Sequence, residues 1–426
     1  MEMYRPELFG KKEETTNSSY STTTLNNDME DNTSATQMYS NDENNPIPTA
    51  VIKVVGVGGG GGNAVNRMIK SGLHGVEFWA MNTDAQALSQ SETKNRIRIG
   101  DKVTHGLGCG MDPSKGQKSA EDSKEEIIKA LEGSNMVFIT AGMGGGTGTG
   151  AAPVIAQVAK QINALTVAVV TKPFEFEGPK REKIALEGIE KLKDVVDAII
   201  VVPNQKLLDV LDKKKTANEA YYAADKILMK GVQGITDIIT YTGLINVDFA
   251  DVETVMKSSG TAIMGMGSAS GEGRAIEAAK QAISHPLLET SIVGASGVIV
   301  NITSGPDIGI AEISEANRII RSAVSDDANY IFGQVQNDKI QGELQITVIA
   351  TGFEMKNNSI TSPLGIAKNA GPVDPLSNIL GGSANINSAN NTNNIAPSIG
   401  SPNLSPERQT RDKAIDILDL PPFFQK

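Results

Sequence analysis

Residues 136–150 read MVFITAGMGGGTGTG, and this stretch decides the fold class. Residues 136–140 suit a buried strand of a parallel sheet. Residues 142–150 then hold six glycines and two threonines, directly before a helix predicted over 151–161. A flexible linker has no reason to occupy that place between a strand and a helix. Because glycine lets backbone N–H groups converge on an anion, the stretch predicts a phosphate-binding loop.

A second glycine cluster, Gly58–Gly62, has the same setting. It follows a β-branched, strand-like run over 51–57 and precedes a short helix predicted to begin near Asn63. Taken alone, this cluster could be merely a flexible turn. Each cluster, however, would deliver its amides at a helix N-terminus, where the helix dipole adds positive potential. Two such loops at one sheet edge predict a site that grips a polyphosphate from both sides.

Strand-like and helix-like segments alternate from residue 51 to residue 203. This rhythm predicts right-handed crossovers and a parallel sheet with helices on both faces, whose ligands bind at the carboxyl ends of the strands. One helix is predicted over 113–131 and a long one over about 218–240. Beyond them we expect a smaller mixed sheet with antiparallel pairing. The predicted fold class is α/β, with a Rossmann-like parallel sheet and a smaller α+β domain.

The composition excludes several classes of protein. The 426 residues include 39 basic and 50 acidic side chains, a net charge of −11, which argues against a nucleic-acid-binding protein. One cysteine, Cys109, and three scattered histidines provide neither a disulfide scaffold nor the spacing of a zinc site. No apolar run approaches the ~18 residues that span a bilayer, and we find no targeting signal. We therefore expect a soluble cytoplasmic protein without direct membrane insertion.

The glycine clusters alone leave a choice of nucleotide. Neither contains the lysine of a Walker A loop. Five consecutive glycines satisfy a dinucleotide-binding pattern, so a nicotinamide-dependent oxidoreductase remains an alternative. That enzyme would need an acidic ribose partner at the end of the second strand, where the sequence offers Asn82-Thr83-Asp84. It would also leave the glycines of 142–150 unexplained.

Longer motifs around the glycine clusters resemble the tubulin/FtsZ superfamily, and in particular the bacterial FtsZ family of cell division proteins. They are GVGGGGGNAV (56–65), NTDAQAL (82–88), GGGTGTG (144–150), TKPF (171–174) and NVDFADV (246–252). The resemblance implies a tubulin-like GTP-binding domain over 51–217, a central helix over 218–242 and a C-terminal, GTPase-activating domain over 243–355. It also implies head-to-tail polymerisation into protofilaments and the cytokinetic Z-ring, on the inner face of the membrane at the division site.

The resemblance assigns roles to individual residues of the nucleotide site. The residues that match phosphate-binding positions for GTP or GDP are Gly59, Gly60, Gly61, Gly62, Asn63, Gly146, Thr147 and Gly148. Glu177 would hold the ribose, Arg181 would support the nucleotide, and Asp225 would face the base. One carboxylate can accept both N1–H and N2–H of guanine, a pair that adenine lacks. Without the resemblance, Glu177 beside Lys180 is equally well an ordinary solvated charge.

Three polar residues far from the glycines, Asn246, Asp248 and Asp251, form a second candidate cluster. From the sequence alone, Asp251 is more simply a helix cap and Asp248 an exposed charge. The resemblance implies instead a loop that enters the nucleotide pocket of the neighbouring subunit. There the aspartates would orient or deprotonate the attacking water, and Asn246 would hydrogen-bond near the phosphate.

The implied enzyme is a GTPase that forms GDP and phosphate and is activated by polymerisation. Mg²⁺ would be held through the nucleotide phosphates and water, without a protein metal site. A third interpretation keeps the filament but makes it a non-hydrolysing tubulin-like scaffold, and the two aspartates argue against it. Two departures from the family pattern, Cys109 and Asp112, occur at a loop expected near the terminal phosphate and leave the turnover rate open.

Both ends of the chain are predicted to be disordered. Residues 1–50 carry nine acidic and three basic residues and have no assigned role, and 356–412 contain no aromatic residue. The last segment, 413–426, is rich in apolar side chains. It resembles the FtsZ peptide that docks onto membrane-tethering division adaptors. Its docking side chains would be Ile415, Leu418, Leu420, Phe423 and Phe424.

Overall fold

The computed structural model describes residues 50–211, 215–241, 243–288 and 291–353. The predicted N-terminal arm up to residue 49, the linker from residue 356 and the C-terminal peptide lie outside the described residues. None of the helices within the described ranges is both long enough and apolar enough to cross a membrane.

One sheet runs through the described part of the chain. Its strands are Ile52–Val57 (β1), Glu77–Asn82 (β2), Asn95–Arg98 (β3), Met136–Gly142 (β4), Leu165–Lys172 (β5), Ala198–Pro203 (β6), Gly260–Ser270 (β7), Gly297–Ser304 (β8), Asn329–Gln336 (β9) and Glu343–Thr351 (β10). Their order across the sheet is β3-β2-β1-β4-β5-β6-β7-β10-β8-β9. Neighbours from β3 to β7 are parallel, β10 lies antiparallel between β7 and β8, and β8 and β9 are parallel. The predicted parallel sheet and the predicted mixed sheet are thus both present, and β7 belongs to both.

Helices cover this sheet. They are Gly58–Lys70 (α1), Ala85–Ser89 (α2), Asp101–Thr104 (α3), Pro113–Asp122 (α4), Lys124–Leu131 (α5), Thr147–Gln161 (α6), Pro179–Lys193 (α7), Asn204–Val210 (α8), Ala217–Thr240 (α9), Phe249–Met256 (α10), Arg274–Ile283 (α11) and Ile310–Arg321 (α12). One turn of 3₁₀ helix, Glu175–Glu177, precedes α7. The long helix α9 begins with a capping box, in which Thr216 and Glu219 satisfy each other's backbone N–H groups.

The core is divided between the two faces of the parallel sheet. Successive side chains of β4 alternate, so Met136 and Phe138 pack with α1 and α9, whereas Val137 and Ile139 pack with α5, α6 and α7. A third apolar cluster lies between the C-terminal strands and α11 and α12. Because α9 belongs to the first cluster together with residues of β7 and α10, it joins the parallel and mixed parts of the sheet.

Two sequence-based helix starts were placed too late. Helix α1 begins at Gly58 rather than near Asn63, and α6 begins at Thr147 rather than at 151. Glycine disfavours a helix by about 1 kcal/mol per residue, but close packing demands it here. A Cβ on Gly61 would collide with the carbonyl oxygen of Thr140 in β4. Tertiary packing therefore outweighs the low helix propensity of Gly61 in the first turn of α1.

The single helix predicted over 113–131 is two helices, α4 and α5. They separate at Ser123, whose backbone leaves the helical region (φ −101°, ψ 17°). The Ser123 hydroxyl oxygen accepts a hydrogen bond from the N–H of Gly100 at 3.0 Å. This hydrogen bond attaches the junction of the two helices to the start of α3, a long-range contact that apolar periodicity does not reveal.

Candidate functional site

The loops that follow the parallel strands meet at one edge of the sheet. In the register of the sheet, Val57 at the end of β1 lies beside Ala141 of β4, and Lys172 of β5 lies beside Pro203 of β6. A cleft of about 470 Å³ opens at this edge. It is lined from the glycine loops, from the segment between β5 and α7, from the start of α8 and from α9. The carboxyl ends of parallel strands are where such sheets bind ligands.

Both predicted phosphate loops border the cleft. Gly59, Gly60 and Asn63 line it from α1, and Gly146, Thr147 and Gly148 line it from the start of α6. Neither helix has a side-chain N-cap, since Val57 and Gly146 precede them without a capping hydrogen bond. The first N–H groups of a helix have no partner within the helix. Two uncapped helix N-termini at one cleft are suited to bind an anion.

Close contact between the two loops explains why they are glycine. Gly58 has φ +70°, and a Cβ there would lie 2.9 Å from the N atom of Gly148. A Cβ on Gly148 would lie 2.8 Å from the carbonyl oxygen of Gly142. A side chain at Gly58 would separate the two loops, and one at Gly148 would displace the backbone of its own loop. The glycines therefore keep the two sets of backbone amides close together.

Two of the predicted phosphate-binding glycines do not line this cleft. Gly61 is buried against β4, as described above. Gly62 lines a neighbouring cavity of about 140 Å³ between α1 and the segment that follows β2. A Cβ on Gly62 would meet no atom within 4 Å. Packing thus accounts for glycine at 61 but not at 62.

Glu177 and Arg181 face the cleft as an ion pair. The Glu177 side chain is only 8 % exposed, so it is not the solvated charge that the sequence alone allowed. Its Oε1 also accepts the backbone N–H of Phe174 at 3.0 Å. The ring of Tyr221, from α9, meets Phe174 edge-on at a centroid distance of 5.2 Å. Burial, and then the Glu177 carboxylate, raise the pKa of the Tyr221 phenol.

Asp225 lies in the same cleft, on the face of α9 that carries Tyr221 and Leu228. Burial raises the pKa of its carboxyl to about 6, and Arg67 opposes that shift. The nearest oxygen of Asp225 is 3.6 Å from Nη2 of Arg67, an ion pair rather than a direct hydrogen bond. A mostly buried carboxylate that lines a cleft is suited to accept two donors from a ligand.

Asn204 also lines the cleft, although no sequence motif predicted it. It is buried, and its Oδ1 has no hydrogen-bond partner among the described residues. Such a group normally finds a partner, so a ligand donor is its natural complement. Its position is the one feature of the sequence that indicates this role, because Asn204 directly follows Pro203, the last residue of strand β6.

The second candidate cluster lies outside the cleft lining. We call residues 243–251 the acidic loop; Asn246, Asp248 and Asp251 within it are exposed. Oδ1 of Asp248 accepts the N–H of Asp251 at 2.9 Å, so Asp248 is the N-cap of α10. Oδ1 of Asn246 accepts the N–H of Gly243 at 2.6 Å. The cap expected at Asp251 is therefore at Asp248, and Asp251 lies in the first helical turn.

The acidic loop is attached to the mixed part of the sheet. Ile245 forms an isolated bridge with Gln334 of β9, and the N–H of Leu244 donates to Oε1 of Gln334 at 3.0 Å. The Leu244 side chain is 73 % exposed. The loop thus presents an apolar side chain and two carboxyl groups to solvent on a backbone that is held in place.

Cys109 is buried behind the 142–150 loop. Its Sγ lies 3.3 Å from Oγ1 of Thr83 and 3.5 Å from Oγ1 of Thr147, and these two hydroxyls are 2.7 Å apart. Asp112 is the N-cap of α4 and accepts the N–H of Ser114 at 2.9 Å. Both residues therefore have local packing roles next to a cleft-lining threonine.

The ribose partner that an oxidoreductase would need is engaged elsewhere. Asp84 is the N-cap of α2, and its Oδ1 accepts the N–H groups of Gln86 and Ala87 at 2.9 and 3.1 Å. It does not line the cleft. Across the described ranges, no group of three or more His, Cys, Asp or Glu side chains is arranged to hold a metal ion. The polar groups that line the cleft are backbone amides of the glycine loops, three hydroxyls, two asparagines, Arg181 and the two ion-paired carboxylates.

Comparison with family models gives two matches. Residues 51–212 match the model of the Tubulin/FtsZ family, GTPase domain. Residues 260–354 match the model of the FtsZ family, C-terminal domain. The first match contains four of the five sequence motifs, and the fifth, residues 246–252, lies between the two matches.

Comparison with solved structures gives the same relationship. An empty dimer of FtsZ from M. jannaschii is 42 % identical, with a TM-score of 0.69, over 71 % of this chain and 88 % of that one. A point mutant of the same protein is 42 % identical, with a TM-score of 0.68, over 71 % and 91 %. CetZ1 from Haloferax volcanii, a GDP-bound monomer, shares the fold at 19 % identity, with a TM-score of 0.63 over 71 % and 94 %.

Proposed function

This chain belongs to the FtsZ family and carries its GTPase domain, and from that premise we propose that it is a GTP-dependent, self-assembling cytoskeletal protein of bacterial cell division. Subunits would join head to tail into protofilaments of the Z-ring. Each GTP would be hydrolysed to GDP and phosphate at the interface between two subunits. The proposal depends mainly on one observation: the cleft and the carboxyl groups of the acidic loop lie on separate parts of one chain.

The glycine loops would hold the phosphates. The uncapped N-termini of α1 and α6 supply unpaired N–H groups at the cleft, and Gly58 and Gly148 let those groups stand close together. Backbone amides and two helix dipoles then replace the lysine of a Walker A loop. Thr147 adds a hydroxyl to this end of the cleft.

The ribose and the base would lie between α7 and α9. Asp225 would accept N1–H and N2–H of guanine, and the unpartnered Oδ1 of Asn204 offers a further acceptor in the same wall. Glu177 would accept a ribose hydroxyl while Arg181 holds the Glu177 carboxylate in place. Adenine would leave a buried carboxylate without its two donors, which strongly disfavours it.

The phosphate end of the cleft needs a group that activates water. The carboxylates among the described cleft-lining residues are Glu177 and Asp225, and each is paired with an arginine. Asp248 and Asp251 are exposed and do not line the cleft of their own chain. We therefore assign them, with Asn246, to the cleft of the next subunit, where they would orient or deprotonate the attacking water. Supplying these charges only on assembly avoids permanent repulsion of the triphosphate.

Magnesium fits this arrangement as a companion of the nucleotide. Mg²⁺ keeps several waters and binds through substrate phosphates more readily than in an all-protein cage. The cleft offers neutral donors at its phosphate end, so GTP or GDP phosphates and water would hold the ion. When bound, it would neutralise charge on the transferred phosphoryl group.

Self-assembly and adaptor docking are proposed from similarity to known proteins. The M. jannaschii FtsZ structure is a dimer, and CetZ2 from Haloferax volcanii, 23 % identical with a TM-score of 0.60, is a GTPγS-bound protofilament, which favours self-assembly here. The apolar residues of the C-terminal peptide, outside the described residues, would dock onto membrane-tethering adaptors. The protein would then be cytoplasmic and concentrated beneath the membrane at the division site.

A complementation experiment tests the shared site. Asp248→Asn subunits keep an intact cleft, and Asp225→Asn subunits keep an intact acidic loop. If hydrolysis needs groups from two chains, a mixture regains GTP turnover at about a quarter of the interfaces of a random head-to-tail polymer. Released phosphate and sedimentation are measured in the same tube.

The matched control replaces the Asp225→Asn subunit with one that also carries Asp248→Asn, because this mixture contains no intact pair. Turnover in the first mixture that only equals the sum of the separate variants would contradict a site built from two subunits. Nucleotide extracted from the purified protein separates this function from the oxidoreductase, which would yield a nicotinamide dinucleotide instead of guanosine phosphates.

A further inference from the structure

Arg67 is a charged residue behind the cleft wall that the proposed mechanism does not use. It lies in the last turn of α1, the helix that begins at the phosphate loop. Its guanidinium reaches α9, where Tyr222 and Asp225 are three residues apart and so lie on neighbouring positions of one helix face. The Cζ of Arg67 is 3.6 Å from the centroid of the Tyr222 ring, and Nη2 is 3.6 Å from Oδ2 of Asp225.

The Arg67–Asp225 pair is largely shielded from solvent. The Arg67 side chain is 27 % exposed and that of Asp225 is 15 % exposed. Nε of Arg67 has no hydrogen-bond partner among the described residues. The guanidinium is therefore held mainly by the face of an aromatic ring and by one carboxylate. Arginine over a tyrosine face is a favourable cation–π pair, and it is stronger where water is partly excluded.

Asp225 depends on Arg67 because burial works against its charge. Burial raises the pKa of the Asp225 carboxyl to about 6, and the positive charge of Arg67 counteracts that rise. The other charged side chains of the cleft, Glu177 and Arg181, are paired with each other. On the remaining elements that border the base side, α8 contributes the neutral Asn204 and α9 the phenol of Tyr221. Lys226, beside Asp225 on α9, has its own pKa lowered by burial and by Lys230.

We propose that Arg67, held against the Tyr222 ring, is a positioning residue that keeps Asp225 ionised for the recognition of guanine. The inference rests on the proposed binding of GTP in this cleft and adds the group that sets its base specificity. Arg67 does not line the cleft, so it acts through Asp225 rather than on the nucleotide.

The protonation state of Asp225 decides which base fits. A carboxylate presents two acceptors, which match N1–H and N2–H of guanine. A carboxylic acid presents one donor and one acceptor, which suit the N1 and N6–H of adenine instead. Losing Arg67 would therefore weaken guanine binding and narrow the preference for guanine over adenine.

The size of the effect follows from the ionised fraction. Removing an opposite charge at this distance raises a carboxyl pKa by about 1–3 units. With a rise of about 2 units, the ionised fraction at pH 7 falls about tenfold, and apparent affinity falls in proportion to the binding-competent fraction. Asp225 accepts the guanine donors only when it is deprotonated. The affinity for GDP therefore falls as the pH falls and recovers as the pH rises.

The test measures the affinity of dilute full-length protein for GDP and for ADP between pH 6 and pH 8.5, by displacement of a fluorescent GDP. GDP avoids turnover. Arg67→Met should bind GDP about tenfold more weakly than wild type at pH 7 but within about twofold of it at pH 8.5. Arg67→Lys, which keeps the charge without the planar guanidinium, should fall between the two.

Two further comparisons make the test specific. Tyr222→Phe keeps the ring and should leave GDP affinity unchanged, whereas Tyr222→Ala should shift the pH profile in the same direction as Arg67→Met by a smaller amount. Tyr222 is 47 % exposed, so neither change threatens folding. In an Asp225→Asn background, Arg67→Met should have no further effect, since there is no charge left to stabilise.

A loss of GDP affinity that is equal at every pH, or that persists in the Asp225→Asn background, would show that Arg67 acts on the nucleotide or on the fold, and would overturn the inference. Unchanged affinity in Arg67→Met would overturn it as well. These outcomes differ from failure of the proposed function, in which the wild-type protein itself binds no guanosine nucleotide.

Discussion

The cleft at the sheet edge and the acidic loop are built by opposite means. The cleft is formed by backbone segments that meet at the end of a buried sheet, and its carboxylates, Glu177 and Asp225, are mostly buried and ion-paired. The acidic loop carries exposed carboxyl groups, and local hydrogen bonds at the start of α10 hold them. A ligand site can thus be completed by packing within one chain. Exposed, oriented charges with no ligand of their own are suited to a site on another molecule.

The comparison predicts that changes in the loop alter turnover while changes in the cleft alter binding. The largest expected effect is that of Asp248→Asn, which keeps the N-cap because asparagine caps as well as aspartate does. The GTP turnover rate should fall about 10²–10⁴-fold, the usual contribution of a positioned acid or base, with the GTP dissociation constant changed less than about twofold. Phosphate release and nucleotide titration measure the two quantities separately.

Glu253→Gln is the matched control, because Glu253 lies on the same helix α10 and forms an ion pair with Lys257, at 2.8 Å. Its turnover rate should stay near that of wild type. If Asp248→Asn hydrolysed GTP at the wild-type rate, the role of the acidic loop would be refuted.

The next largest effect concerns the base side of the cleft. Asp225→Asn replaces two acceptors with one donor and one acceptor, so the affinity for GTP should fall about 10²-fold. Xanthine has N1–H and a C2 carbonyl, which match an amide, so xanthosine triphosphate should bind this variant better than GTP. Competition between the two nucleotides measures the change. A variant that still prefers GTP would place base recognition elsewhere.

A pair of glycine substitutions tests how strongly packing shapes the phosphate loop. Gly61→Ala would force a methyl group against the carbonyl oxygen of Thr140 and should destabilise the fold by about 1–3 kcal/mol or more. Gly62→Ala meets no atom within 4 Å in the same helix and should leave the free energy of unfolding unchanged or raise it by up to about 1 kcal/mol. Denaturant unfolding of both variants provides the comparison.

Nucleotide affinity of the Gly62→Ala variant adds information about its role. Gly62 does not line the cleft, so GDP should bind within about twofold of wild type. A large loss of affinity with unchanged stability would mean that Gly62 contacts the nucleotide, as the family resemblance implies.

The smallest expected effect is that of Cys109→Ala. The sulfur fills space beside Thr83 and Thr147, whose hydroxyls can still bond to each other at 2.7 Å. Stability should fall by about 1 kcal/mol for the lost buried volume. The GTP turnover rate should change less than about twofold, since the cysteine lies behind the cleft-lining residues Gly146 and Thr147 rather than in the cleft. A large change in turnover would show that the departure at residue 109 tunes the reaction.

The alternation of segments was enough to predict the parallel sheet and the long helix α9, because buried strands and amphipathic helices have distinct periods. Strand β3 was missed, since Asn95–Arg98 has little apolar character and lies at the edge of the sheet. The position of β10 between β7 and β8 was also beyond the sequence. Strand neighbours depend on long-range pairing, which no local pattern encodes.

For the candidate site, the position of both glycine clusters at one sheet edge could be predicted, because only glycine allows such close contact between backbones. Asn204 and Arg67 carry no motif, so their importance emerged only when α8 and α1 were seen beside α9. The exchange of capping roles between Asp248 and Asp251 likewise depended on where α10 begins.

The amino-acid sequence was enough to indicate the type of sheet, the two glycine loops and the family, since these follow from local periodicity and from contiguous motifs. Only the tertiary structure decided which side chains share the cleft and which charges neutralise one another, and it left the acidic loop outside that cleft. The physical reason is that burial and charge pairing are properties of distances between segments far apart in the chain, and those distances exist only once the chain has packed.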